Sequence, residues 1–208
     1  MAIAFAGPLS RFFAKTSAEA GRLRPGVEVW REDLRSSVAE KVAAQLDWDE
    51  AAPAAFTADL GDSGWMALRL FAYYAERSDL ELPDTVPPLL ELDPEWRAAA
   101  DQKFARSRYG QLLACRVWLP GDFPITWRAP LPDGDSAEMG SIDVLAAQLA
   151  WLNQRTFQAD AAEAAGWGTT PAAPGAPLIA AAQRGYAGLL AAVQCATGNR
   201  LPVIVREA

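Results

Sequence analysis

Apolar residues at helical spacing predict two amphipathic helices in the first quarter of the chain. One runs over 9–23, and the other over 30–46, where a large apolar residue recurs every four positions and the opposite side is charged. The Arg-Pro-Gly sequence at 24–26 predicts a break between them. The acidic and Ala/Pro-rich stretch 47–61 predicts a loop.

Further helices are predicted by stronger signals. The segment 63–77 is apolar on every side of a helical cylinder, which predicts a central helix surrounded by other elements. An acidic cap followed by proline begins a helix over 93–108. Ser141 is the predicted cap of another helix, and the last helix starts at Pro177 and ends at a Gly-Asn pair.

In the middle of the chain the apolar period changes to two, which predicts β-structure. Odd positions are apolar in 112–119 and in 124–131, with a Pro-Gly-containing loop between, so we expect a hairpin over 112–131. A short strand is predicted over 201–205. The predicted fold is a helix-dominated α+β arrangement. In it, five to six helices pack on a small, mostly antiparallel sheet made of that hairpin and that strand.

Length and composition predict one domain over 1–208, with a flexible Ala/Gly/Pro-rich loop at 160–176. Cys115 and Cys195 fit neither a zinc site nor a disulfide framework. Two buried free thiols are the preferred interpretation, and a disulfide between them is the alternative. No apolar run long enough for a membrane span and no basic secretory leader is visible, so we expect a cytoplasmic protein.

Charge and the missing histidine exclude several functions. The chain has 26 acidic and 19 basic residues and a net charge of −7, which argues against a nucleic-acid partner. With no histidine, it lacks the usual general base, the Ser-His-Asp and Cys-His nucleophiles and the commonest metal ligand. Asp47, Asp49 and Glu50 could hold a cation or exchange protons, but a solvated loop is the preferred interpretation. We therefore assign no catalytic residue and expect no metal or cofactor.

Two arginines of the predicted hairpin form the sharpest candidate for a ligand site. In the expected register Arg116 faces Arg128, and Trp118 lies beside them on the same side of the sheet. Like charges in that position are unfavourable unless an anion or a carboxylate lies between them, and paired guanidinium groups suit carboxylate and phosphate. The alternative is a solvent-exposed sheet face whose arginines stack over Trp118.

Trp151 is a second candidate, because it lies on the polar side of its predicted helix next to Arg155. Another segment of the chain could cover it, or it could mark an interface, where tryptophan is enriched. The leading hypothesis is a non-enzymatic bacterial protein of an accessory, regulatory or immunity type, which binds another protein or a second copy of itself. The alternative is a protein that binds a small anion, or a histidine-free enzyme, with a pocket at Arg116, Trp118 and Arg128.

Overall fold

A computed structural model of the chain describes residues 2–61, 63–169 and 176–207. The α+β class is confirmed, but within those ranges the chain forms nine α-helices rather than five to six, and six strands. In chain order the elements are β1 (Ala2–Ala6), α1 (Leu9–Phe13), α2 (Ser17–Ser37), α3 (Glu40–Ala43), β2 (Phe56–Gly61), α4 (Gly64–Ala75), α5 (Pro94–Asp101), α6 (Gly110–Ala114), β3 (Val117–Leu119), β4 (Trp127–Pro130), β5 (Ser136–Ser141), α7 (Ile142–Arg155), α8 (Ala161–Thr169), α9 (Leu178–Asn199) and β6 (Val203–Glu207).

The strands form one mixed sheet in the order β2-β1-β6-β3-β5-β4. The pair β3/β5 is parallel, and the other neighbouring pairs are antiparallel. The two ends of the chain meet in this sheet, since Ala4 of β1 lies opposite Val205 of β6. The C-terminal strand predicted over 201–205 is therefore an inner strand, shifted by two residues to Val203–Glu207.

The predicted hairpin over 112–131 is wrong, because β5 lies between its two strands. Met139 of β5 pairs with Val117 on one side and with Trp127 on the other. The first part of the expected strand is instead the short helix α6. Trp118 is buried as completely as Val117, which shows that β3 is covered on both faces. Alternation in such a strand does not identify a solvent face.

Two hydrophobic cores lie on opposite faces of the sheet. On one face, β1 and β6 pack beneath α4, α7 and α9, with Trp65 and Trp118 in edge-to-face contact at a centroid distance of 6.1 Å. On the other face, Val27 and Leu34 of α2 pack against the central strands, and the indole N–H of Trp30 donates to the carbonyl of Pro130 at 2.8 Å. The all-apolar segment predicted as the central helix is α4, which both helices and strands surround.

Helices α4 and α9 come into backbone contact at two glycines. A Cβ atom on Gly185 would lie 2.1 Å from the carbonyl oxygen of Gly64, far inside van der Waals contact. Any side chain at Gly185 would therefore separate the two helices. This close approach joins the N-terminal end of α4 to α9 within one of the two cores.

Several predicted element boundaries are corrected by the structure. The chain breaks at 14–16, and α2 then continues through Pro25, where the sequence predicted a break. Thr16 caps this helix by accepting from the backbone N–H of Glu19 at 3.2 Å. A helix, α8, also occupies Ala161–Thr169, within the segment 160–176 that was expected to be a loop. Residues 170–175 of that segment lie outside the described ranges.

Glu50 is buried, where the sequence predicted a solvated loop. Its carboxylate accepts the backbone N–H of Leu9 at 3.0 Å, the backbone N–H of Ser10 at 2.9 Å and the indole N–H of Trp48 at 2.6 Å. Leu9 and Ser10 are the first residues of α1, and the N-cap residue Pro8 offers no side-chain acceptor. Glu50 therefore caps α1 from a remote loop, because it accepts two backbone N–H groups that the first turn of the helix leaves unpaired.

Both cysteines are free thiols, but only Cys115 is buried, whereas the preferred interpretation had both buried. Burial raises the pKa of the Cys115 thiol, and the charge of Glu138 adds to that effect. Within the described residues, no helix combines the length and the apolar character needed to cross a lipid bilayer.

Candidate anion-binding site

Four arginines from three segments of the chain converge on one cleft beside α7. Arg77 follows the end of α4, Arg106 and Arg108 lie between α5 and α6, and Arg155 ends α7. The cleft has a volume of about 610 Å³, which is within the usual range for ligand sites. We call it the arginine cleft and define it by these side chains: Arg77, Arg106, Arg108, Tyr109, Trp151 and Arg155.

A sharp turn after α5 brings two of these arginines to the cleft. Lys103 and Phe104 both have φ of 53°, in the left-handed region, which ends the helix. Phe104 is buried, and its ring centroid lies 4.7 Å from that of Trp96. The buried ring anchors the turn, so Arg106 and Arg108 follow from a fixed point.

Trp151 forms part of the wall of the cleft and is 38% exposed. The guanidinium carbons of Arg108 and Arg155 lie 5.8 Å and 5.7 Å from its ring centroid. These are cation–π distances, at which the indole ring attracts both cations. The ring attracts both positive side chains without occupying their N–H donors.

The carboxylates of the cleft, Glu76 and Asp79, do not pair directly with its arginines. One oxygen of Glu76 accepts the backbone N–H of Arg108 at 3.0 Å, and the other is buried without a hydrogen-bond partner. The Nε of Arg77 is likewise buried and has no partner. Across the described ranges, none of the four guanidinium groups has a carboxylate oxygen within 4.0 Å.

The pKa of the Tyr109 phenol responds to burial and to the charges inside the cleft. Burial raises the pKa of its phenol above the usual value, and the charge of Glu76 raises it further, whereas Arg155 and Arg108 act in the opposite direction. The phenol therefore stays protonated at neutral pH, when it offers a hydrogen-bond donor beside the arginines.

This arrangement is suited to binding an anion. Guanidinium groups are planar, charged at neutral pH and able to donate two parallel hydrogen bonds to a carboxylate or a phosphate. Four of them next to two carboxylates give the cleft a local excess of positive charge, although the chain as a whole carries −7. At physiological ionic strength, charges beyond about 8 Å are largely screened, so the local arginines dominate.

The residues of the first predicted site lie elsewhere, on the sheet. Arg116 and Arg128 are in register with Glu138 of β5, one on each side of it, so a strand separates them. Adjacent strands are about 4.8 Å apart, which places the two backbones roughly 10 Å from each other. Trp118 is completely buried and offers no exposed ring beside them. Anion binding at Arg116 and Arg128 stays a prediction, and Glu138 occupies the strand position between them.

Trp151 and Arg155 of the second predicted site are brought together, and both line the arginine cleft. Their role as an interface stays a prediction. The sequence alone did not indicate the other residues of the cleft, which are Arg77, Arg106, Arg108 and Tyr109. A usable signal was present, because Arg-Ser-Arg-Tyr at 106–109 is a basic run within an acidic chain.

Comparisons with protein-family models, with curated proteins and with solved structures found no match for this chain.

Proposed function

We propose that this chain is a binding protein that holds an anionic group of its partner in the arginine cleft. The group is a carboxylate or a phosphate, since both accept the paired hydrogen bonds that guanidinium groups donate. The four guanidinium groups without a carboxylate within 4.0 Å carry this proposal.

Two further observations support it. Like charges that share a cleft repel one another, and an anion between them removes that repulsion. The unpartnered Nε of Arg77 also supplies a buried donor without an acceptor, which is costly unless an acceptor or a water molecule arrives. Binding, rather than catalysis, is the role that fixed positive charges serve most directly.

The proposal is tested by thermal unfolding in the presence of millimolar phosphate. At a concentration of about ten times Kd, a ligand stabilises the folded state by about 1.4 kcal/mol. For a chain of this size, that raises Tm by about 3–5 °C. Arg108→Ala and Arg155→Ala should each remove most of the shift. Both side chains are exposed, so the folded state should tolerate their removal.

Two other arginines supply the controls. Arg22→Ala removes an equal charge from the exposed side of α2 and should leave the phosphate shift intact. Arg128→Ala distinguishes the arginine cleft from the site predicted on the sheet. A phosphate-induced rise in Tm that survives Arg108→Ala and Arg155→Ala but disappears in Arg128→Ala would overturn the proposal in favour of the sheet site. The absence of a rise in Tm with any anion would also overturn it.

A further inference from the structure

The arginine cleft is the middle of a longer depression in the surface. A recess of about 230 Å³ shares Arg77 and Arg106 with it. A second recess, of about 580 Å³, shares Arg108 and Trp151. Because each recess has two wall residues in common with the cleft, the three spaces adjoin one another on the surface. We call this whole depression the furrow.

The recess at Trp151 differs in chemistry from the arginine cleft. Val144, Ala147 and Trp151 contribute an apolar strip to its wall and lie on one side of α7 at the helical spacing of three and four residues. Ala147 and Trp151 are exposed, and Val144 is half-buried. The strip is separate from the buried row of α7, which packs into the core. Asp122 and Asp143 also line this recess, so two carboxylates border the strip. The furrow therefore offers arginines in its middle and, at one end, an apolar strip edged by negative charge, which favours a neutral apolar side chain there over a second acidic one.

The shape of the furrow favours an extended chain over a small metabolite. Small-molecule sites are concave and enclose most of their ligand. In contrast, Arg106, Arg108, Trp151 and Arg155 are all exposed along the furrow, so a small ligand there would remain largely in solvent. An extended peptide fits an open groove because it makes successive contacts with it.

Resting on the proposed function, we propose that the furrow binds an extended acidic segment of a partner protein. Carboxylates of that segment lie among Arg106, Arg108 and Arg155. A neighbouring apolar side chain of the same segment packs on Val144, Ala147 and Trp151. The arginines favour acidic residues in the segment because the charges are opposite, and the apolar strip favours an apolar side chain next to those acidic residues.

The test compares two labelled peptides of equal length by fluorescence anisotropy with the full chain at physiological ionic strength. One peptide is a run of Glu and Asp followed by leucines, and the other replaces the leucines by serine and glycine. The leucine peptide should bind about three- to tenfold more tightly, because partial burial of its leucine side chains on the open strip contributes roughly half of what full burial would.

A pair of matched variants locates the apolar contact. Ala147→Glu places a carboxylate in the strip at an exposed helical position and should abolish the difference between the two peptides. Ala150→Glu makes the same change at a neighbouring exposed position, which lines the recess at Tyr186 and Leu190 and not the one at Trp151, and should leave the difference intact. Equal affinity for both peptides, or a difference that survives Ala147→Glu, would overturn this inference.

The outcomes separate this inference from the proposed function. If phosphate still stabilises the chain through Arg108 while the leucines add nothing, the anion site stands and the acidic segment is excluded. Citrate that binds more tightly than the leucine peptide would make a free small anion the occupant and overturn the inference. Self-association that is lost in Arg108→Ala, measured by sedimentation, would make a second copy the occupant and would also overturn it.

Discussion

Removal of the Glu50 carboxylate should strongly destabilise the fold, although the sequence predicted that Glu50 lies in a solvated acidic loop. Its two oxygens accept three N–H groups, from Leu9, Ser10 and Trp48, all of which are nearly or fully buried. Each buried donor left without an acceptor costs about 1–3 kcal/mol. Allowing for partial relaxation and for the desolvation cost that the charge itself carried, Glu50→Ala should cost about 3–5 kcal/mol. That is a large part of a typical stability of about 5–15 kcal/mol.

Urea unfolding followed by tryptophan fluorescence measures this cost. With a slope of about 2 kcal/mol/M, the midpoint should fall by about 1.5–2.5 M. Glu50→Gln keeps one acceptor oxygen and should fall between Glu50→Ala and the wild type. Glu28→Ala removes an exposed acid from α2 and should change stability by less than about 0.5 kcal/mol. A midpoint within about 0.5 M of wild type for Glu50→Ala would refute the capping role.

Three further predictions concern packing, pH and thiol reactivity. Gly185→Ala should destabilise the fold by about 2–3 kcal/mol or more in urea unfolding, because its Cβ would meet the backbone carbonyl group of Gly64. Gly198→Ala is the control in the same helix. It has open space around it and should be neutral or slightly stabilising. Tyr74→Phe should cost about 1 kcal/mol near neutral pH. Burial and a hydrogen bond to a carboxylate raise the pKa of Tyr74 in the folded state, so the unfolded chain ionises first. The stability difference between the wild type and Tyr74→Phe should therefore shrink and then reverse above pH 10, the ordinary pKa of the phenol. A stability difference that does not change across that pH would contradict the raised pKa of Tyr74. A thiol reagent should modify Cys195 in the native chain and reach Cys115 only on unfolding; modification of both at equal rates would show that Cys115 is accessible.

Helices with a strong local signal could be predicted from the sequence. The apolar circumference of α4 required a buried helix, and the observed range Gly64–Ala75 agrees. Asp93 accepts the N–H of Trp96 at 2.8 Å, and Ser141 accepts the N–H of Val144 at 3.3 Å, as their cap positions predicted. In each case the determining interactions lie within a few residues of one another.

Most of the sheet could not be predicted in the same way, because all of its pairings except the local β4/β5 hairpin are distant in sequence. β1 and β6 pair across almost the whole chain, and β2 fell in a segment predicted as a loop. Strand β5 lies between β3 and β4 and pairs in parallel with β3. A local hairpin pattern contains no information about such an inserted strand.

The residues of the arginine cleft could be predicted only in part, because only some of its contacts are local in sequence. Trp151 and Arg155 are four residues apart on one helix, so their proximity follows from the helical period. Arg77 and Arg108 reach the same cleft from other segments. Their convergence depends on the end of α4 and on the turn at Phe104, which only the folded chain defines.

A crystal structure of the chain with tungstate, an oxyanion whose anomalous scattering marks its position, would show directly whether the arginine cleft binds an anion. We expect an anomalous peak in the arginine cleft, within hydrogen-bond distance of Arg106, Arg108 or Arg155. An occupied peak between Arg116 and Arg128 with an empty cleft would contradict this expectation, and so would a crystal in which the anion binds at neither place.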